Sequence, residues 1–471
     1  MTSLGKELKE ASLRRLDDIQ SFTPNVYLRN HPSAPGGLSI AIRGVSSDEY
    51  DKSFDPAIGV IMDGMVLGTA SGSMLQNFDV KQIEVLRGPQ GTLFGKNTTG
   101  GVVNVIRGDV TQEWGFDTGV AIGEDGRRDL KAVVNLPIVE ETLGVKLFGA
   151  SIESDGFVEN VTLNEDVGGD DLQSLGFATL WTPSEEVSIK LHYENLQDES
   201  DTGIFANGNG PHVTLGSLAC TFNPGVGCQS SDKSVDPSGE NTITGARAGT
   251  NDSETDILIL TANWDLDDVL LTYIYGYQDK DEHYLNNFDP SPADFLYLDY
   301  FNEWEQQSHE LRVTSQFSDE FDFIAGLYYW DVDYVQFWDV GRLHYNLDAV
   351  GAIVPGVPGG AGFTENTLAM NGQEQTTESI AAFFSGNWHV TDQLTLTAGI
   401  RWTEEEKKFS GGDGSIFYDP TDPLDPFFMS RPDISVNYLH FDDKWSEVSP
   451  KVGFRYQPTD DTMVFLSLIH I

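Results

Sequence analysis

Long segments of alternating apolar and polar residues dominate this chain from Trp114 onward, and they constrain its fold more than any other feature. Such alternation has the period of a β-strand whose two faces meet different surroundings. A wall between lipid and water requires strands of this kind, but a soluble β-sandwich produces the same pattern. The apolar members of the clearest segments are Leu394, Leu396, Ala398, Ile400 and Trp402; Val187, Ile189, Leu191 and Tyr193; and Val448, Val452, Phe454 and Tyr456.

The connections between these segments decide between the two folds, because they alternate between short and long. The short connections lie at 140–141, 183–186, 265–268, 318–322, 391–393 and 458–461. The long connections lie at 155–170, 199–253, 281–303, 340–373 and 409–444. Short turns at one end and long loops at the other predict an antiparallel up-and-down barrel of the outer-membrane type, with its short turns in the periplasm.

Aromatic residues cluster near the predicted strand ends, where membrane barrels carry interfacial girdles. For each of them, ordinary packing in the core of a sheet is the alternative. They are Tyr328, Tyr329, Trp330, Trp338, Trp388 and Trp402. The segments amount to about twelve complete strands and a thirteenth that begins at Thr462, whereas plugged barrels of this class have 22.

Composition agrees with such a wall and argues against other classes. No run of about 18 apolar residues occurs, so membrane-spanning helices are excluded. Mean hydropathy is -0.28, as a barrel with a wet lumen and wet loops gives. The formal net charge of -46 argues against a nucleic-acid partner, because phosphate binding needs Lys and Arg patches. The acidic residues are spread over turns and loops, where solvation is the favoured interpretation and divalent-ion binding the alternative.

Residues 43–106 have a different texture, with short β-branched runs at 58–62, 83–86 and 102–106. Asp63-Gly64 between two apolar runs predicts a tight hairpin, since Asp and Gly tolerate positive φ. The region therefore predicts a compact domain with a mixed sheet. Residues 91–96 lack the spacing and the hydroxyl residue of a phosphate loop, which argues against nucleotide binding. The residues that stop the second run or admit close backbone approach are Gly88, Pro89, Gly91, Gly95, Gly100 and Gly101.

Four motifs in this order resemble the plug of TonB-dependent outer-membrane receptors. They are Ile42-Arg43-Gly44, the run 60–64 that ends in Asp-Gly, IEVLRGPQGTLFG at 83–95 and TTGGVVNVI at 98–106. The resemblance implies an N-terminal α+β plug domain at 1–112 and an all-β membrane barrel at 113–471. This barrel is expected to be antiparallel, up-and-down and incomplete, with about 12–13 of 22 strands.

The resemblance also assigns roles to single residues. Glu84 and Arg87 flank one strand end, where the family places a pair between plug and barrel wall. The alternative is a partly exposed ion pair that contributes at most about 1 kcal/mol. The plug-motif positions are Arg43, Gly44, Asp63, Gly64, Glu84, Arg87, Gly88, Pro89, Gly91, Gly95, Gly100 and Gly101.

Ligand contacts are expected at the plug apices by the same resemblance. The candidates are Arg43, Gly68, Thr69 and Phe78. For Arg43 a salt bridge inside the plug is an equal alternative, and for Phe78 core packing is the more common role of such a residue.

The implied function is energy-coupled uptake through the outer membrane of a Gram-negative cell. A ferric siderophore is the expected ligand, and TonB with ExbB and ExbD is the expected partner of a monomer that carries no cofactor. Vitamin B12, haem or an oligosaccharide is the alternative cargo, and a passive porin or surface-binding protein is the alternative from another class. An enzyme is disfavoured because no metal or nucleophile arrangement appears around the scattered histidines His192, His283, His309 and His389.

Cys220 and Cys228 lie close together in one long polar loop. In an oxidising compartment such a pair predicts a local disulfide, with two free thiols as the alternative. Metal spacing of the CxxC type is absent, which argues against zinc.

Both ends of the chain depart from what the resemblance implies. The start lacks a signal peptide and the energy-coupling TonB box, so we expect the native N-terminus to lie upstream. Residues 6–20 resemble the family's first plug helix, which Pro24 ends. The last six residues, LSLIHI, are also the translation of a transposase sequencing adapter (CTG TCT CTT ATA CAC ATC), and we expect that the gene continues beyond them. A stop codon directly after Ile471 in independent DNA would contradict this expectation.

Overall fold

A computed structural model of the chain describes residues 2–4, 16–31, 34–46, 52–68, 78–204, 242–243, 245, 248–288, 297–315, 318–341, 367–417 and 439–470. No helix among these residues is long and apolar enough to cross a membrane. We call the described residues up to Arg107 the plug, and the thirteen-stranded sheet that follows the wall.

The plug consists of two small sheets and two short helices. One sheet has the order β1-β7-β8-β5-β6 and the other β2-β3-β4. The elements are β1 (Thr2–Leu4), a 3-10 helix (Leu16–Phe22), β2 (Val26–His31), β3 (Ala34–Ile42), β4 (Val45–Ser46), β5 (Ile58–Met62), β6 (Met65–Leu67), β7 (Val80–Arg87), α1 (Gly91–Phe94) and β8 (Gly101–Arg107).

The predicted mixed sheet and hairpin are both present in the plug. Strand β5 pairs in parallel with β8, while β7 pairs antiparallel with β8. The turn between β5 and β6 has φ of 47° at Asp63 and 93° at Gly64, as a tight hairpin requires. The predicted first helix is a 3-10 helix in its described part, where Leu16 and Ile19 are buried; residues 5–15 lie outside the described part of the chain.

Sixteen further strands follow in chain order. Thirteen of them form one sheet, in the order β24-β23-β22-β21-β20-β19-β18-β17-β15-β14-β11-β10-β9, so that neighbours along the chain are neighbours in the wall. This confirms the predicted number of strands and the start of the last strand. The strands are β9 (Gly115–Ile122), β10 (Arg128–Val139), β11 (Leu143–Glu153), β12 (Val158–Asn160), β13 (Glu165–Val167), β14 (Asp171–Ser184), β15 (Val187–Asp198), β16 (Thr242–Ile243), β17 (Thr250–Asp265), β18 (Val269–Asn287), β19 (Tyr297–Ser315), β20 (Phe321–Gly341), β21 (Thr367–Thr391), β22 (Leu394–Phe417), β23 (Leu439–Thr459) and β24 (Thr462–Ile469).

The outward face of the wall changes from apolar to acidic at about the same distance from the short turns on several strands. From the short turns it is apolar over about nine residues, the length that a membrane strand requires, and it then becomes acidic. Acidic residues there stand directly opposite one another, as in the pairs Asp256 with Asp279 and Asp279 with Glu305. Some of the acidic residues expected in turns and loops therefore lie on strands. The changes occur from Leu258 to Asp256, Tyr277 to Asp279, Tyr329 to Asp331, Ile380 to Glu378 and Trp402 to Glu404; on β19 the polar residues His309 and Gln307 precede Glu305.

The strands continue beyond this apolar band, which corrects the predicted long loops. Strand β18 reaches Asn287 and β19 begins at Tyr297, well inside the predicted loop 281–303. Strands β21 and β22 pair as far as Thr367 with Phe417. The hydrogen-bond ladder needs no apolar side chains, and beyond the apolar band both faces of β18 carry polar or charged residues, such as the buried Lys280 and the exposed Asp281. The alternation that marks a strand in the sequence therefore disappears there.

The aromatic residues predicted as girdles divide between the two faces of the wall. Trp388 and Trp402 are exposed on the outer face, at 53% and 38%, as an interfacial position requires. Trp330 is buried with Trp304 and Tyr334 in a cluster on the inner face, against which Tyr328 packs. For Trp330 the alternative of core packing is therefore correct, because its position on β20 has the inward parity.

Candidate functional site between plug and wall

Three kinds of contact join the plug to the inner face of the wall. With increasing distance from the short turns they are ion pairs, apolar packing and a group of four charges. Nearest the short turns, ion pairs join plug carboxylates to wall lysines. Asp63 Oδ2 lies 2.6 Å from Lys190 Nζ, and Asp79 pairs with the buried Lys146. Burial raises the pKa of the Asp63 carboxyl, but Lys190 and the Arg107 backbone N–H outweigh burial and lower that pKa below its usual value.

Arg107 ends the last plug strand in a fully buried ion pair with Glu194 of β15. A second guanidinium nitrogen of Arg107 donates to the Phe78 carbonyl oxygen at 2.9 Å. Glu194 also accepts a hydrogen bond from Ser174 at 2.8 Å. Removing one partner of such a pair leaves a buried charge uncompensated, so this contact fixes the plug strand to the wall.

An apolar contact joins the plug to β17 and β18. The hydrophobic core of the plug extends to Ile257, Ile259 and Ile274 on those strands. The side chain of Met65 fills the space beside Gly276, where an added Cβ would lie 2.6 Å from Met65 Cγ. The β5–β6 hairpin therefore packs directly on the wall backbone.

Farther from the short turns, beyond the apolar band, four charges join the plug to β22. Lys96 Nζ lies 3.2 Å from Asp55 and 2.9 Å from Glu405, and Lys407 Nζ lies 2.5 Å from Asp55 and 4.0 Å from Glu405. Asp55 and Lys96 belong to the plug, while Glu405 and Lys407 belong to the wall. We call these four residues the charge square.

The charge square alternates in sign around its ring, so every neighbour attracts. Lys96 Nζ also lies 4.4 Å from the ring centroid of Trp330, a cation–π contact. Burial raises the pKa of the Asp55 carboxyl, but Lys96 and Lys407 together lower it below its usual value. The square is thus an ionic connection whose strength depends on pH and salt.

On the long-loop side of the plug the inner wall is lined by aromatic rings and amides. Tyr284 stacks on Tyr300 with 4.7 Å between ring centroids, and Tyr300 stacks on Trp338 at 6.2 Å. Gln336 Nε2 donates to Asn302 Oδ1 at 2.7 Å. Tyr284, Tyr300 and Asn302 are 1%, 2% and 3% exposed, so these stacking contacts and hydrogen bonds join side chains of the wall to one another.

One plug residue, Lys52, lies at the level of these aromatic rings and amides and forms a buried ion pair with the wall. Lys52 pairs with Glu282 of β18, which also lies 2.7 Å from Lys280 Nζ. Asn302 Nδ2 donates to Glu282 at 2.9 Å. Among the described residues, no group of three or more His, Cys, Asp or Glu side chains is arranged to hold a metal ion.

The predicted ligand contacts do not converge on one surface. Gly68 is buried against Trp304, Gln306 and Trp330 of the wall. Phe78 is 6% exposed and packs edge-on against Phe148 of β11, with 6.4 Å between ring centroids.

Arg43 and Thr69 complete the predicted set. Arg43 is exposed, has φ of 53° and donates its backbone N–H to the Asn25 carbonyl. Thr69 lies outside the described residues. A ligand role for each of the four candidates stays a prediction.

Glu84 and Arg87 make contacts inside the plug. Glu84 accepts hydrogen bonds from Gln82 at 2.6 Å and Asn104 at 3.1 Å. Arg87 donates to the Pro24 carbonyl at 3.0 Å. The contacts described for these two residues thus differ from the plug–wall pair that the resemblance implied.

Two of the motif glycines, Gly101 and Gly95, lie where the plug backbone closely approaches other backbone or the wall. Gly101 has φ of 148°, and an added Cβ would lie 2.3 Å from the Leu86 carbonyl oxygen. An added Cβ at Gly95 would lie 2.7 Å from the Arg401 guanidinium. Gly44 and Gly88 have positive φ, Pro89 follows the end of β7, Gly91 begins α1 and Gly100 donates its N–H to the Ala57 carbonyl. Cys220 and Cys228 lie outside the described part of the chain.

The residues that join plug to wall were missed by sequence reasoning. Lys96 entered the sequence analysis only as part of a rejected phosphate loop, and Glu405 and Lys407 lie between the predicted strand segment that ends near Trp402 and the long connection that begins at 409. Lys96 and Glu405 are 309 positions apart, and a single sequence carries no signal of such a pair.

Two family profiles match the chain. The profile described as "TonB-dependent Receptor Plug Domain" matches residues 4–102. The profile described as "TonB dependent receptor-like, beta-barrel" matches residues 185–470.

The pesticin receptors and the solved structures resemble nearly the whole chain, and other curated relatives resemble part of it. The pesticin receptor of Yersinia pestis is 24% identical over 97% of this chain and 60% of that protein. The vitamin B12 transporter BtuB of Vibrio vulnificus is 24% identical over 42% of this chain and 34% of that protein. The chain thus spans about 60% of the length of the first of these relatives.

Among solved structures, the ferric yersiniabactin uptake receptor FyuA from Yersinia pestis has a TM-score of 0.76 at 18% identity, over 99% of this chain and 63% of that one. The siderophore receptor PiuA from Acinetobacter baumannii has a TM-score of 0.71 at 17% identity, over the same shares. At these identities the likeness shows the fold.

Proposed function

Because the chain belongs to the TonB-dependent receptor family, we propose that the whole protein takes up ferric siderophores through the outer membrane. TonB, energised by ExbB and ExbD, is the partner that supplies the work. The short turns face the periplasm, the long loops face the exterior, and the plug occupies the lumen of a monomeric barrel. The protein acts as a receptor and transporter and not as an enzyme.

One observation carries this proposal: the plug is fastened to the inner wall from the short-turn end to the level above the apolar band. Contacts run from Lys146 and Lys190 through Ile274 to Glu405 and Lys407. A plug held in this way opposes passive flow, which argues against a porin. Transport therefore needs work or a rearrangement of the plug.

Ferric siderophores are the proposed cargo because two solved structures that resemble 99% of this chain are a ferric yersiniabactin uptake receptor and a siderophore receptor. Vitamin B12 is the second candidate, because a B12 transporter matches part of the chain.

Growth of a strain that lacks the gene tests the proposal. The strain is compared with its complemented parent under iron limitation, with one ferric siderophore supplied at a time, and on vitamin B12 or single glycans as separate arms. We expect loss of growth on one ferric siderophore, reproduced in a strain without TonB. Normal growth on every siderophore combined with loss on B12 or on one glycan would overturn the assignment of cargo.

A further inference from the structure

Gln306 of β19 is a buried wall side chain whose amide contacts the plug backbone. It is 1% exposed. Its Nε2 donates to the Val66 carbonyl at 2.7 Å, and its Oε1 accepts the Gly68 N–H at 3.0 Å. Donation to residue 66 and acceptance from residue 68 is the pattern by which one strand pairs with another. The Gln306 amide thus takes the place of a neighbouring strand for the backbone groups of Val66 and Gly68 at the end of β6.

Gly68 is the plug residue that permits this approach. An added Cβ would lie 2.7 Å from Gln306 Oε1, 2.7 Å from the Trp330 ring and 2.8 Å from the Trp304 ring. No side chain fits between the plug backbone and these three groups, because real Cβ contacts are longer. The backbone N–H of Gly68 can therefore reach the amide only if residue 68 is glycine.

Gln306 Oε1 is shared between plug and wall. The same oxygen accepts the indole N–H of Trp304 at 3.1 Å. Trp304 packs with Trp330 and Tyr334 on the inner face, two positions along β19 from Asn302 of the aromatic and amide lining. One acceptor thus receives a donor from the plug hairpin and a donor from the aromatic wall.

We propose that Gln306 is a positioning residue that fixes the end of the β5–β6 hairpin and couples it to Trp304. A movement of the Trp304 indole changes the orientation of the amide and thereby the hold on Gly68. That the Trp304 side of the wall faces a ligand rests on the proposed function. The coupling between Trp304 and Gly68 exists without any cargo and is tested without one.

Hydrogen exchange of the Gly68 amide, measured on the full chain in outer-membrane vesicles, tests the proposal. Gln306→Leu removes both plug contacts, and we expect exchange at Gly68 to accelerate roughly tenfold or more, as loss of two hydrogen bonds implies. Gln306→Glu keeps the acceptor and loses the donation to Val66, so an intermediate rate is expected. Gln307→Leu, one position away on the outer face, is the matched control and should leave the rate unchanged.

A double-mutant cycle tests the coupling. Trp304→Phe keeps a ring and removes the indole N–H, and it should accelerate Gly68 exchange by a smaller factor. Combined with Gln306→Leu it should add nothing, because the shared acceptor is already absent. Unchanged Gly68 exchange in Gln306→Leu, or full additivity of the two substitutions, would overturn the proposal. Either result leaves the cargo assignment untouched, because no ligand is present.

Discussion

Lys96 is the plug residue whose removal should most weaken the contact between the plug and β22. It contacts Asp55, Glu405 and the Trp330 ring at the same time. Lys96→Met keeps most of the apolar stem of the side chain and removes its ammonium group. The remaining cation of the charge square, Lys407, then faces two carboxylates, one of them at 4.0 Å.

The magnitude follows from the burial of the partners. The Lys96 and Glu405 side chains are 19% and 16% exposed, and Asp55 is 40% exposed. Partial exposure screens each ion pair to about 1 kcal/mol or less, and the cation–π contact contributes about 0.5–1 kcal/mol. We expect Lys96→Met to cost about 2 kcal/mol of docking free energy, roughly a thirtyfold rise in the undocked fraction.

Helix α1 provides the assay, because a helix of four residues is not stable without its packing. Its C-terminal amides, in which the Phe94 N–H donates to Gln90 and the Gly95 N–H donates to Gly91, exchange when the helix leaves the wall. We expect faster exchange there in Lys96→Met at low salt, and convergence of wild type and variant at high salt.

Lys81→Met is the matched control for this substitution. Lys81 also pairs with a carboxylate, Asp109 at 2.6 Å, but both side chains are more than half exposed. Its loss should leave α1 exchange unchanged. Equal effects of the two substitutions, or none from Lys96→Met, would refute the view that the charge square holds the helix.

Three further outcomes are expected. Gly101→Ala should lower the unfolding free energy of the plug by about 3 kcal/mol or more in denaturant titration, because of the Leu86 contact at 2.3 Å, whereas Gly91→Ala, with open space, should change it by less than about 0.5 kcal/mol. Burial and the charges of Asp281 and Glu305 raise the pKa of Asp279 in the folded state. The folded state therefore binds this proton more readily than the unfolded state does, and the contribution of Asp279 to the unfolding free energy grows as pH falls from neutral. Asp279→Asn should flatten that rise in thermal melts. Thiol titration of unreduced protein should find no free thiol at Cys220 and Cys228.

Local rules accounted for much of the fold. Alternation fixed which residues of β22 face outward, and Asp63-Gly64 fixed the plug hairpin, because strand period and turn chemistry are properties of adjacent residues. The upper ends of β18 and β22 were missed for the same reason. Beyond the apolar band both faces carry polar residues, so the ladder continues where the alternation stops.

The candidate site was less predictable because it consists of long-range pairs. Gly68 was expected as a ligand contact, yet the structure shows a close approach to Gln306, 238 positions away. Asp55 and Lys407 are 352 positions apart. A charged residue in one sequence indicates a solvated face by default, and only the fold shows which charge it meets.

The plug is attached differently on its two sides, and the difference predicts which side loosens first. Towards β17 and β18 the contacts are apolar packing and the fully buried Lys52–Glu282 ion pair, and towards β22 they include the partly exposed charge square. High salt screens the charge square, screens a buried ion pair much less and does not weaken apolar packing. Single cysteines at two buried inward-facing serines report on each side: Ser385→Cys lies beside Gly399 and α1, and Ser308→Cys lies beside Gly276.

In a background with Cys220→Ser and Cys228→Ser, we expect maleimide labelling at Ser385→Cys to accelerate between about 0.1 M and 1 M salt. Labelling at Ser308→Cys should stay constant, because its surroundings are held by Met65 and the Trp330 cluster. The two sites share a small native side chain, a buried inward position and the same chemistry, so a difference between them arises from the attachment of the plug. Equal acceleration at both sites would mean that the plug loosens as one body and that the ionic side does not open separately.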